Sequence, residues 1–380
     1  MVLEGLFITA VAAALYPLAG YPLVLSAIAA LRPRALARQP WLPQVTVLIP
    51  AYNEAACIAA TIQNKLDQDY PATRLQIIVV SDASSDATDS IVASYAACGV
   101  ELLRQTTRQG KAAALNEAVR RARGEILVFS DANSAFAPDA VRRLVENFAD
   151  PRVGYVTGQL HYTHAEQTSG RGSDAYMRYE NWLRRLETRV DSVIGVNGGV
   201  DAMRRSLYAD VPADQITDFV LPLQVIAAGF RVVFDERARS RERANQEMGS
   251  EFRMRVRVAL RALRGMVYAR GALSFVRSPL PAFCILSHKI LRYLGFFFLA
   301  GALGLNALLA IRSHAFAWLL LAQLLLYVFA LIGLAPRLPR ALRALTALPT
   351  YFVMSNAAFA VATLRFARGD TLAVWKPRAG

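Results

Sequence analysis

Oxygen-rich segments follow three short apolar runs in this chain. Pro50-Ala51-Tyr52-Asn53-Glu54 follows the run that begins at Val45. Ser81-Asp82-Ala83-Ser84-Ser85-Asp86 closes the run that begins at Leu75. Asp131-Ala132-Asn133 follows the run ending at Ser130. A further carboxylate, Asp218, stands at the head of an apolar stretch over 219–228 that reads as a helix. Such residues can accept a hydrogen bond from a heterocyclic N–H, offer oxygen ligands to a hard divalent cation, or take a proton from a hydroxyl. Lys111, one of four lysines, lies in a Gly-containing turn and could meet a phosphate. Asn53, Ser85 and Asp86 also suit plain helix capping. Capping does not account for Asp82 directly on a strand end, or for Asp131, which no helix pattern follows at once.

These residues need a scaffold that brings strand ends together. The apolar runs at 45–50, 75–81, 99–103 and 125–130 alternate with helical patterns over 54–68, 86–97 and 111–123. Near-continuous apolar strands with intervening helices predict a mostly parallel sheet covered on both faces, over about 44–235. Ligands of such sheets bind beyond the carboxyl ends of the strands, where these polar segments fall.

The rest of the chain is more apolar than a soluble domain. Of 380 residues 54% are hydrophobic, and mean hydropathy is +0.29. This excludes a disordered, fibrous or small disulfide-bonded chain. Stretches without charge at 5–31, 293–311, 315–336 and 344–364 are each long enough to cross a membrane. The first is too long for a cleaved leader, has Glu4 on its flank and lacks a small-residue cleavage site. Arg32, Arg34 and Arg38 follow it, so the central domain is expected in the cytoplasm. Cys57, Cys98 and Cys284 form no metal or disulfide pattern. The net charge of +14 suits lipid headgroups and substrate phosphate. Nucleic acid is rejected, because the basic residues cluster beside the membrane segments without interleaved aromatics. Nine arginines at 239–270 read either as an interfacial amphipathic helix or as a segment closing over a diphosphate. His288 and Lys289 read as snorkelling side chains at the membrane surface.

Five segments, in order, resemble the membrane-bound family-2 inverting glycosyltransferases of GT-A fold, polysaccharide synthases among them. They are PAYNEA at 50–55, SDASSDAT at 81–88, GKAAALNEA at 110–118, SDAN at 130–133 and ITDFVLPLQVIAAGFRVVFDE at 216–236. The likeness runs from about 45 to 257. It implies a UDP-sugar donor held by Pro50, Ala51, Tyr52, Glu54, Asp82, Lys111, Asp131, Arg255 and Arg257. It implies Mg²⁺ or Mn²⁺ on Asp131 and Asn133, and Asp218 as the base. Asn197, Gly198 and Gly199 would line the acceptor side, with Arg178-Tyr179-Glu180 nearby. Three departures stand out: Asn133 where the family usually has Asp, Thr217 in the middle of its T-E-D triplet, and no Q-x-x-R-W.

The division expected is a membrane helix at 1–34, a GT-A domain at 40–240, a basic interfacial or gating segment at 241–290, membrane helices at 291–366 and a tail at 367–380. The chain would be a multi-pass protein of the bacterial inner membrane with its catalytic domain in the cytoplasm. The acceptor would be a polysaccharide, or a lipid such as a ceramide, a diacylglycerol or a polyprenyl phosphate. The departures at 133 and 217 also admit an inactive membrane scaffold. Trp375-Lys376-Pro377-Arg378 resembles a cytoplasmic tail of the family.

Overall fold

The computed structural model describes residues 1–163, 169–243, 248–335 and 338–370. The resemblance at 375–378 lies outside them. Eight strands form one mixed sheet: β1 (Val45–Ala51), β2 (Leu75–Ser81), β3 (Val100–Arg104), β4 (Ile126–Ser130), β5 (Ala135–Phe136), β6 (Val153–Thr163), β7 (Val200–Arg204) and β8 (Arg231–Arg243). Their order is β3-β2-β1-β4-β7-β6-β8-β5. β1 to β4 run parallel, β7 is antiparallel to β4 and β6, and β6 is parallel to β8. The four parallel strands fall within a residue of the predicted runs, because each apolar run is buried on both faces. Side chains alternate along β1. Leu48 packs with Ile78, Leu127 and Leu115 on one face. Val47 and Ile49 pack with Val79, Ile58 and Leu144 on the other.

The domain helices are α2 (Ile58–Leu66), α3 (Thr88–Ala93), α4 (Lys111–Arg121), α5 (Ala140–Glu146), α6 (Ser169–Val190) and α7 (Thr217–Ala227), following the N-terminal α1 (Val2–Leu31). α2 is shorter than its periodicity predicts. Residues 53–57 form a turn instead, with Asn53 at φ 54° and Cys57 N–H donating to the Glu54 carbonyl. α3 ends early, before Gly99 turns the chain at φ 80°. α7 starts at Thr217, so Asp218 stands in its first turn.

Beyond the sheet come α8 (Met248–Tyr268), α9 (Pro279–Tyr293), α10 (Gly295–Ala310), α11 (His314–Ile332) and α12 (Arg340–Ala367). Among the described residues three helices are long and apolar enough to cross a membrane: α1, α11 and the Ala341–Ala367 part of α12. α10 has 16 residues, about 24 Å at 1.5 Å per residue, less than a ~30 Å hydrocarbon core. With α9, from which it bends by 55°, it makes a fourth candidate. α11 turns large apolar side chains outward, with Trp318 71% exposed, as a lipid-facing helix would. α8 buries Val256, Leu260 and Met266 in the domain core and leaves Val258 and Val267 exposed.

Candidate active site

The site lies at the carboxyl edge of β1, β2 and β4. Ala51 and Ser81 are register partners, which places the two following loops side by side. Asn53, Ser85 and Asp86 stitch those loops together. Ser85 N–H donates to Asn53 Oδ1 at 2.8 Å, and Ala55 N–H to Asp86 Oδ2 at 3.1 Å. Of the capping expected of these three, only a local Asp86 contact is seen, its Oδ1 accepting from Thr88 N–H at 3.0 Å. Tyr52 presents its ring to the Arg108 guanidinium at 3.7 Å from the ring centre.

Asp82 is buried. Its two oxygens accept from the Gln109 and Gly110 N–H groups at 2.7 and 2.8 Å. The carboxylate thereby fixes the turn that starts α4 at Lys111. Each carboxylate oxygen has a second lone pair, so this contact leaves acceptor capacity.

Lys111 joins the two carboxylates that matter most. Its Nζ donates to Asp131 Oδ1 at 2.8 Å and to both Asp218 oxygens at 3.3 Å. Burial works to lower the lysine pKa, but Asp131 and Asp218 outweigh it and hold the ammonium above its ordinary range. Asp218 is raised, first by burial and then by the charge of Asp131, with Lys111 pulling the other way. Glu54 is also raised, by burial and by the charges of Asp131 and Asp86, against a hydrogen bond from Cys57. Thr217, where the family has an acid, donates its hydroxyl to Asp218 Oδ1 at 3.1 Å. Its role here is to orient the carboxylate.

The oxygen donors of Asp131 and Asn133 suit a divalent cation that brings further ligands of its own. Asp131 interacts with both Glu54 and Asp218, and the Lys111 ammonium answers Asp131 and Asp218. Among the described residues no three His, Cys, Asp or Glu side chains gather as an all-protein cage. Asp131 and Asn133 would contribute a carboxylate and an amide oxygen. Mg²⁺ and Mn²⁺ commonly take one or two carboxylates and complete their shell with phosphate oxygens and water.

The Gly195–Gly199 segment faces Asp218. Gly198 adopts φ 82°, and a Cβ there would overlap the Asp218 carboxylate. A Cβ on Gly199 would run into Glu242 and Ser134. Asn197 is tied to the Gly158 carbonyl at 2.5 Å and to Thr157. Arg255 sits elsewhere: it donates to Tyr351 Oη at 2.5 Å and lies over the rings of Tyr351 and Tyr176. Arg257, two residues on, points about 200° away around the helix.

Several supporting residues escaped the sequence reading. Lys65 is fully buried on α2. It donates to the Ser134 carbonyl at 2.6 Å and lies 3.9 Å from the centre of the Phe136 ring. Thr61, one turn earlier, donates to the Ala132 carbonyl at 2.6 Å. Together they hold the chain just after Asp131. Burial pushes the Lys65 pKa down to about 7, against the charge of Glu242. Asp201, on β7, accepts from Tyr155, Thr157 and Gly198 N–H, and so fixes the glycine segment. Burial, and then the Asp218 charge, push its pKa up to about 7 despite those bonds. The one available signal was rarity: lysine occurs four times in an arginine-rich chain.

His288 does not snorkel. It is buried, with Nδ1 2.8 Å from Glu187 Oε1 and Nε2 3.4 Å from Glu180 Oε2. Arg292 donates to Glu180 Oε1 at 2.6 Å. Tyr21 Oη and Ile194 N–H donate to Glu187 at 2.7 and 3.1 Å. This cluster ties α1, α6 and α9 to the start of the glycine segment. Its pairing outweighs the expected reach for solvent because His288, Arg292, the Tyr21 hydroxyl and the Ile194 N–H share two carboxylates out of water.

Residues 46–211 match the family model for glycosyl transferase family 2. The chain is 29% identical over 169 residues to a beta-monoglucosyldiacylglycerol synthase of Trichormus variabilis, covering 43% of this chain and 36% of that one. It is 27% identical over 225 residues to a poly-beta-1,6-N-acetyl-D-glucosamine synthase of Staphylococcus aureus, covering 57% and 53%. The chain thus spans about a third to a half of the length of these curated relatives. In structure it is similar to a mannosyltransferase of Pyrobaculum calidifontis in complex with GDP-Man and Mn²⁺. That likeness has a TM-score of 0.74 and 25% identity, and covers 96% of this chain and 99% of the other.

Proposed function

We propose that this chain, whose residues 46–211 form a family 2 glycosyltransferase domain of GT-A fold, transfers a sugar from a nucleoside-diphosphate sugar to an acceptor hydroxyl with inversion. The observation that carries this is the Asp131–Lys111–Asp218 array beside Gly198. The donor diphosphate would lie against Lys111 and Asp131, with Pro50, Ala51, Tyr52, Glu54 and Asp82 on the nucleoside side. Arg255, which is engaged with Tyr351, and Arg257 are the remaining candidates for a phosphate contact. The acceptor would approach past Asn197, Gly198 and Gly199. Its oxygen attacks the anomeric carbon as the bond from that carbon to the diphosphate breaks. The electron pair leaves with the diphosphate, and the hydroxyl proton passes to Asp218. What a bound Mg²⁺ or Mn²⁺ supplies is neutralisation of the leaving diphosphate. A carboxylate raised by burial is a better base at neutral pH than one in water.

The base on the donor is uracil in the first reading. Asp82 can accept from its N3–H, whereas cytosine presents a lone pair there. Guanine also carries an N–H at the matching ring position. The likeness to a mannosyltransferase bound to GDP-Man, over nearly both whole chains, favours that as the second reading. The acceptor is a polysaccharide or a lipid at the inner face of a bacterial membrane. Incubation of the purified protein with UDP-sugars and GDP-mannose, followed by lipid extraction and sizing of products, tests the reading. Absence of transfer from every donor, with and without Mn²⁺, would leave the inactive-scaffold alternative.

A further inference from the structure

Glu242 is buried on β8, at the place where the two sides of the site part. Across β4 and β7, Ser130 is the register partner of Val200. Asp131 and Gly199 therefore leave the ladder at the same level, one into the Asp131–Asn133 turn and the other into the glycine segment. Arg241 of β8 is the partner of Ala135 on β5, so Glu242 stands level with Ser134. Ser134 closes the turn, its N–H donating to the Asp131 carbonyl at 3.2 Å, and its hydroxyl donates to Glu242 Oε1. A Cβ on Gly199 would overlap that same carboxylate oxygen. One oxygen thus lies against both the turn that carries Asp131 and Asn133 and the segment whose Gly198 abuts Asp218.

A buried carboxylate is costly unless it is compensated. Here the Ser134 hydroxyl does so, together with Lys65, whose ammonium donates to the Ser134 carbonyl at 2.6 Å and lies in range of the Glu242 charge. Where only packing is needed, an apolar side chain of the same volume serves as well or better. The carboxylate at 242 therefore calls for a use beyond filling space. We propose that Glu242 is a positioning residue: by holding Ser134 and backing Gly199, it sets the gap between the donor diphosphate and the acceptor hydroxyl. Reacting atoms must come within about 3–3.5 Å, and a misplacement of about 1 Å can cost a hundredfold. This rests on the transferase reading above and adds the residue that couples its donor side to its acceptor side.

The test compares the full-length wild type in membranes with Glu242→Leu, Glu242→Gln and Ser134→Ala, using radiolabelled UDP-sugars and GDP-mannose over a range of Mn²⁺ concentrations. Two products are counted in each preparation: label in extracted acceptor product, and label released as sugar when water takes the acceptor's place. Leucine fills the space of Glu242 but accepts no hydrogen bond, whereas glutamine keeps an oxygen for Ser134. Glu242→Leu should lower the ratio of transfer to hydrolysis by roughly tenfold to a hundredfold. It should also raise the Mn²⁺ concentration for half-maximal turnover, because the Asp131–Asn133 turn loses its support. Glu242→Gln should retain most of the ratio. Ser134→Ala, a smaller change, breaks the same bond from the other side and should move both readouts in the same direction as Glu242→Leu. It decides the matter if Glu242→Leu does not fold. Ratio and half-maximal Mn²⁺ are insensitive to the fraction of misfolded protein, so a loss of both products in equal proportion at unchanged Mn²⁺ would make Glu242 a support of the fold alone and overturn the proposal. Equal damage by glutamine and leucine, or a folded Ser134→Ala that matches the wild type, would overturn it too. All three results leave the transferase reading intact. A wild type that moves label from no donor would remove that reading, and this proposal with it.

Discussion

Asp218 and Lys111 are two halves of one electrostatic device. Burial and Asp131 raise the Asp218 pKa, and Lys111 restrains that rise. A base works only when deprotonated, so activity should climb through the Asp218 pKa on the acid side. Lys111→Met removes the restraint. It should move the acid limb of the kcat/KM profile to higher pH, besides weakening donor binding. An unmoved limb would show that Lys111 does not act on the base. Asp218→Asn should keep nucleotide binding and lose transfer by roughly 10² to 10⁴. Asn133→Asp adds charge beside Asp131 and should lower the Mn²⁺ concentration for half-maximal activity. Metal titration of both proteins checks that sign.

At the scale of elements, α2 is the prop beneath the Asp131–Asn133 turn. Lys65 has a folded pKa pushed down to about 7, below the ordinary lysine value of about 10.4. The folded state therefore resists protonation of this group. The resulting penalty is full below about pH 7 and is relieved as pH rises towards 10.4. The stability of the wild type relative to Lys65→Met should rise across that window, by up to about 1.4 kcal/mol per pH unit. Thermal midpoints of both proteins at pH 7 and 9 measure it, and a constant difference would mean that Lys65 keeps its proton. The strands of the parallel half and the start of α4 were legible because each run is apolar, buried on both faces and closed by a polar exit. α6 was not foreseen, since its polar residues pair inside the molecule: Glu180 and Glu187 with α9, Arg184 with the Gly195 carbonyl. The clustering of Asp131, Lys111 and Asp218 was legible only through motif order. Nothing in residue spacing alone joins positions 111, 131 and 218.

The whole molecule places the last helix against the enzyme domain. Composition makes α12 a membrane span, and four spans would leave Arg365 and Arg368 outside. Its packing favours another arrangement. Tyr351 meets Arg255 of α8, Thr350 bonds to the Ala330 carbonyl at the end of α11, and Arg264 of α8 donates to the Gly369 carbonyl at 2.7 Å. Arg264 also lies 3.6 Å from Asp214, four residues before the proposed base. The end of α12 thus lies beside the active-site domain. If α1, the bent α9–α10 pair and α11 cross and α12 lies along the interface, both arginines would return to the side of the enzyme domain. A C-terminal reporter active only in the cytoplasm should be active; activity of a periplasm-only reporter would instead require α12 to cross.

The central claim is that this molecule moves a sugar from a nucleotide donor by way of Asp218. The most direct measurement is label transfer by wild type and Asp218→Asn from radiolabelled UDP-sugars and GDP-mannose, with Mn²⁺, into products extracted from membranes. The account predicts labelled product from at least one donor with wild type, and a loss of roughly 10² to 10⁴ with the variant at matched nucleotide binding. Equal transfer by the two proteins would contradict it.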